Sequence, residues 1–161
     1  MKIRIGFVSN SSSSSYIVEI KGINEQDFLN KLYHEYSWKY FMKSKIEEDL
    51  LKCIEEDKSA KTNLKLDKIF QDLHARWLRQ SENDFNQLKE INTNEELVRF
   101  VLEHNRITIK SDEDEIELFA STSMHNDFHD MPQLLREIIL FFMFDTLHKI
   151  KCRRTDRYSE S

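Results

Sequence analysis

Residues 2–21 read KIRIGFVSNSSSSSYIVEIK, and two patterns inside this stretch set the fold class. In the first, apolar Ile3, Ile5 and Phe7 alternate with Lys2, Arg4 and Gly6; in the second, Tyr16, Val18 and Ile20 alternate with Ile17, Glu19 and Lys21. Successive side chains of a strand point to opposite faces, so each pattern predicts a strand with one face buried. The serine-rich residues 9–15 between them predict the connection of an antiparallel pair, and Gly22 ends the second strand.

Beyond Gly22 the apolar period becomes helical. Asn24 is a good N-cap with Glu25 and Asp27 in the first turn, and Phe28, Leu32, Tyr36 and Tyr40 follow at steps of four. The spacing resumes at Ile46, Leu50, Cys53 and Ile54, predicting one long helix, or two broken near Ser44, that runs to about residue 58. After a polar loop at 59–63, Leu66, Phe70, Leu73, Trp77, Phe85 and Leu88 predict a further helix with a potential break at Ser81. Thr93 and Glu96 form a capping box ahead of Leu97, Phe100 and Val101, with Asn105 as the expected stop.

Alternation returns with Ile107 and Ile109, then Ile116, Leu118 and Ala120, predicting a second antiparallel pair that turns at 111–115. Asp130 or Met131 would cap a last helix with Pro132 in its first turn, carrying Leu134, Leu135, Ile138, Phe142 and Leu147. The expectation is an α+β fold: a small antiparallel sheet of about four strands, an N-terminal pair and a C-terminal pair, packed with about four to five helices. A single domain over residues 1–161 follows from the length, with a basic polar tail at 149–161.

Composition narrows the function classes. With 2 Gly and 1 Pro, a many-turned sandwich or barrel is excluded, because tight turns draw on those residues. Cys53 and Cys152 stand apart with no ligand spacing around them, which suggests neither a zinc knuckle nor a disulfide framework and fits a reducing cytoplasm. No apolar run follows the basic residues at the start as a secretion signal requires, and residues 134–144 fall short of the about 20 needed to cross a bilayer. No membrane association is expected. The net charge of −5 disfavours broad contact with nucleic acid and leaves only the basic tail for it; self-association stays open.

Four segments could carry chemistry. Hydroxyls at Ser11, Ser12 and Ser13 could bind an anion together with backbone N–H groups, although serines on a hairpin connection ordinarily satisfy local backbone groups. In STSMHNDFHD, residues 121–130, the side chains of His125, Asp127, His129 and Asp130 are metal-ligand types, and imidazole with carboxylate suits Zn, Mn or Fe. Against that, Asp130 serves as an N-cap and Asp127 as an Asx-turn residue without any metal. In YHEYSWKYF, residues 33–41, helical spacing turns Tyr36 and Tyr40 to the core and leaves Tyr33 and Trp38 as the exposed pair, side chains of the kind that dominate interfaces. Finally Asp112, Glu113, Asp114 and Glu115 make an acidic hairpin tip suited to a basic partner.

The string GFVSNSSSSSY at residues 6–16 resembles the opening of small uncharacterised proteins of phages and bacteria, which begin with glycine, an aromatic, valine, then SNSSSSS and an aromatic. The resemblance covers about a tenth of the chain and implies origin rather than mechanism. With no catalytic constellation complete, the expected function is a non-enzymatic protein-binding module that takes a protein partner and no cofactor. The expectation extends to an inhibitor of a host protein or defence complex, and the resemblance implies only that it would be phage-encoded. The alternative is a small metal-dependent enzyme or metal-stabilised domain built on the loop at 125–130.

Overall fold

A computed structural model of the chain describes residues 2–9, 13–123 and 132–145. Among them the order is β1 (Lys2–Ser9), β2 (Ser13–Lys21), α1 (Glu25–Tyr36), α2 (Lys43–Lys61), α3 (Lys68–Lys89), α4 (Asn94–His104), β3 (Ile107–Asp112), β4 (Glu115–Ser123) and α5 (Gln133–Asp145). The strands form one antiparallel sheet in the order β1-β2-β4-β3, so the fold is α+β as the alternation predicted. The chain divides into two compact units, Met1–Glu35 with Val98–Ser161, and Tyr36–Leu97.

The first unit is built on the sheet. Register places Ile3 opposite Ile20 and Ile20 opposite Ile116; Ile5 faces Val18, which faces Leu118, which faces Ile109. These rows share one face, and Ile3, Tyr16, Val18, Ile20, Ile107, Ile116, Leu118 and Ala120 are buried there. Fully burying one such aliphatic side chain contributes roughly 1.5–3 kcal/mol, so the alternation is held by many small gains along the rows. Helices α1 and α5 bring matching apolar sides, and Phe28 stacks on Phe142 at 5.3 Å between ring centroids, both fully buried. The other face carries the Arg4–Glu19 ion pair at 3.8 Å and the partly exposed Phe119.

The turns explain where the elements stop. Gly22 takes φ 89, which a β-carbon would disfavour, and there its N–H donates to the Asp114 carbonyl at 2.7 Å, tying the end of β2 to the β3–β4 turn. Asn24 caps α1 as expected, its Oδ1 accepting from the Asp27 N–H at 2.8 Å. Thr93 Oγ1 accepts from the Glu96 N–H at 3.2 Å, while the Glu96 carboxylate reaches the N–H of Asn92 rather than that of Thr93. Asn105 does follow the end of α4, its side chain bonding the Val101 carbonyl at 2.7 Å, but the left-handed residue is Arg106, at φ 62.

Three boundaries differ from the sequence expectation. The serine connection is shorter, because residues 13–15 already belong to β2, where Ser13, Ser14 and Ser15 pair with Ser123, Thr122 and Ser121 of β4. The break after α1 falls at 37–42 rather than near Ser44: the Tyr36 carbonyl accepts from Lys39 and Tyr40 in a tight turn, and Phe41 is buried. Burial of that ring overrides the helical propensity of its neighbours. Helix α3 runs through Ser81 unbroken.

Candidate interaction surface

The second unit contains α2 and α3, an antiparallel helical hairpin joined by residues 62–67. Its register is fixed at both ends. Near the connection Asp57 bonds His74 Nδ1 at 2.9 Å, and at the far end Lys43 Nζ donates to the Ile91 carbonyl at 2.9 Å. The connection is held by its own polar groups: the Lys65 N–H donates to Asn63 Oδ1 at 3.0 Å, and Gln71 Nε2 donates to the Asn63 carbonyl at 2.6 Å.

Burial along α3 identifies the side that packs within its own unit. Gln71, His74, Leu78, Ser81, Phe85 and Leu88 recur at steps of three and four and are buried or half-buried. In the C-terminal half this stripe is largely apolar, as a packed helix requires. In the N-terminal half it is polar, occupied by Gln71 and His74, whose hydrogen bonds run to the connection and to α2. The Asp57 carboxylate that receives His74 is the one buried charged residue among those described. A buried polar group needs such a partner, and each of these has one.

The apolar residues of the same half are turned outward. Ile69 is 77% exposed, Phe70 52% and Trp77 47%, with Leu73 half-buried beside them, and on the preceding connection Leu64 is 93% exposed and Leu66 half-buried. Phe70, Leu73 and Trp77 stand at i, i+3 and i+7, so they line one side of the helix over about two turns. Trp77 is fixed by the edge-to-face contact of its ring with His74, centroids 4.9 Å apart, so the Asp57–His74 bond also orients the largest side chain of the stripe. Single exposed apolar residues are ordinary on a protein surface; a row of large ones beside a polar inward side is not. Such a row is an anchor pattern by which a helix docks on a protein partner.

The sequence candidates are distributed differently. Tyr33 is half-buried on α1 against the edge of His34, whereas Trp38 stands 70% exposed in the turn at 37–40. Because α1 ends at Tyr36, helical spacing does not relate the two, and they fall in different units. That corrects the reading of them as a pair on one helix. Tyr36 and Tyr40 are half-buried in edge contact with each other rather than aligned on a core face.

Asp112, Glu113 and Asp114 are exposed and Glu115 half-buried at the β3–β4 turn, which is tighter than expected with two residues between the strands. Beside it Ser111 Oγ donates to Glu25 Oε1 at 2.8 Å, and Glu25 also pairs with Arg99. Ser13 opens β2; Ser11, Ser12 and the loop with His125, Asp127, His129 and Asp130 lie outside the described residues, as does the basic tail. Among the described residues no group of three or more His, Cys, Asp or Glu is placed to hold a metal, and no helix is long and apolar enough to cross a membrane. Cys53 is a free, exposed thiol on α2.

Sequence reasoning placed Phe70, Leu73 and Trp77 on one side of a helix without naming Ile69 or Leu64 and without identifying that side as exposed. Gln71, which bonds the connection, was the signal it did not use. The geometry defines an α+β protein with a helical hairpin that carries an uncovered apolar row. Comparison with known proteins adds no family: no family model matches the chain, and neither a curated protein nor a solved structure matches it significantly.

Proposed function

We propose that this chain is a non-enzymatic protein-binding module whose partner docks on the exposed row of α3. The observation that carries the reading is the inversion near the α2–α3 connection, where Gln71 and His74 face inward while Ile69, Phe70 and Trp77 face solvent. Exposed aromatics of this kind supply the anchor residues of interfaces, with desolvation of Trp and Phe as the main gain. The resemblance of residues 6–16 to phage and bacterial proteins supports a phage origin, and in that setting the module would act in the cytoplasm as an inhibitor of a host protein or defence complex. The acidic turn at 112–115 would then serve as a second, rate-enhancing contact for basic surface on that partner.

The test is affinity capture from bacterial lysate with wild type beside Phe70→Ser and Ile69→Ser, each checked for an unchanged circular dichroism spectrum. The expected result is a defined protein retained by wild type and lost by both variants. Identical capture by all three would remove the α3 row from the interface and with it the reason for this reading.

A further inference from the structure

We infer that a second copy of this chain occupies the α3 row, the two α3 helices meeting antiparallel across a two-fold axis at Leu73. This rests on the docking role proposed above and names the partner. The row has the internal order that self-pairing needs. Residues seven apart lie on nearly the same line of a helix, so Phe70 and Trp77 form one edge of the row, Ile69 and Arg76 form the other, and Leu73 runs between them. In an antiparallel two-fold pair each edge meets the same edge of the other helix, and every contact occurs twice.

An axis at Leu73 sets that residue on its own copy. Phe70, three positions before the axis, comes level with Trp77 of the partner subunit, so aromatic meets aromatic. Ile69, four positions before it, comes level with Arg76 of the partner subunit, whose aliphatic stem covers it while the guanidinium stays in water. Charge does not oppose the approach: from Glu55 to Arg79 six bases stand against five acids, so the two hairpins meet with almost no net repulsion, and a bilayer or nucleic acid finds no strong basic excess there. The area is also of the right size. Phe70 and Trp77 each leave about half of the 150–250 Å² of such a side chain in water, and with Ile69 and Leu73 the row offers roughly 350 Å². A stable interface buries about 800 Å² per partner, of which about 450 Å² is apolar, so the row supplies most of the apolar share.

Trp38 and Trp77 are the 2 tryptophans of the chain, so Trp38→Phe leaves Trp77 as the sole fluorophore of its kind, placed in the row itself. Sedimentation equilibrium should show a monomer and dimer exchanging with a micromolar dissociation constant, and Trp77 emission should shift to the blue as protein concentration rises. Phe70→Ser and Ile69→Ser should each weaken the dimer at least about tenfold, whereas Leu51→Ser, at an exposed leucine of α2, should leave it unchanged. In a Cys53→Ser, Cys152→Ser background, Leu73→Cys should give a disulfide-linked dimer on mild oxidation, because the axis brings this position onto itself; Arg79→Cys, six positions from the axis, should not.

A chain that stays monomeric at about 1 mM, a dimer that Phe70→Ser and Ile69→Ser leave intact, or faster cross-linking at Arg79→Cys than at Leu73→Cys would each overturn the two-fold pairing. So would a blue shift of Trp77 that requires phosphatidylserine vesicles rather than more protein. If the chain is monomeric but the two serine variants still lose the protein captured from lysate, the docking row survives with a foreign occupant. If the dimer is lost in both variants while capture is unchanged, the second copy stands as the occupant and the foreign protein docks elsewhere. If the chain is monomeric and capture is unchanged, both readings fall together.

Discussion

Phe70 and Leu78 lie on the same helix eight residues apart, and truncating each to alanine separates an exposed row from a packed one. Leu78 is buried, and Leu→Ala at such a site costs about 3 kcal/mol from lost transfer energy and the cavity left behind. Phe70 keeps about half its surface in water, so its removal gives up about half of the roughly 1.5–3 kcal/mol of a fully buried side chain, about 1 kcal/mol. The greater helical preference of alanine returns a few tenths of that. With a urea slope of about 2 kcal/mol per molar, the unfolding midpoint should fall by about 1.5 M for Leu78→Ala and by about 0.4 M for Phe70→Ala. Tryptophan fluorescence is the fitting readout, because Trp38 and Trp77 both report on the unit Tyr36–Leu97. A loss for Phe70→Ala equal to that for Leu78→Ala would mean that the Phe70 ring is packed, and the argument for a docking row would fail.

Arg106→Gly should raise the melting temperature, with a gain of up to about 1 kcal/mol, because φ 62 is strained for arginine and not for glycine; a lower melting temperature would show that the Arg106 side chain contributes more than the strain costs. Asn24→Ala and Thr93→Ala should each cost about 1 kcal/mol in denaturant unfolding, since each removes the oxygen that caps an N–H of α1 or α4, and a loss near zero for either would place its cap outside the stabilising set. Changing Asp112, Glu113, Asp114 and Glu115 to their amides should slow association with the captured partner at low salt and leave it little changed at high salt; equal rates at low salt would make the turn solvated surface only.

How much of this was legible in the sequence depended on the range of the interactions involved. The alternation of Ile3, Ile5 and Phe7, of Tyr16, Val18 and Ile20, and of Ile116, Leu118 and Ala120 was enough for the strands, because a strand's period of two is a property of its own backbone. The caps at Asn24 and Thr93 were legible for the same reason: donor and acceptor lie three residues apart. The β2–β4 pairing that joins the two hairpins into one sheet was not, since its residues are about a hundred positions apart and no local pattern encodes the choice.

The orientation of α3 was the other decision left to tertiary structure. Spacing shows that Phe70, Leu73 and Trp77 share one side of a helix, and sharing a side ordinarily means a core. Which side meets the neighbour is set by what the neighbour offers, and here α2 offers the Asp57 carboxylate while the connection offers the Asn63 carbonyl. His74 and Gln71 turn inward to satisfy those groups, and rotation about a single helix axis then leaves Ile69, Phe70 and Trp77 facing water. The sequence by itself determined that the apolar row exists; only the packing of α2 on α3 decided that it faces outward.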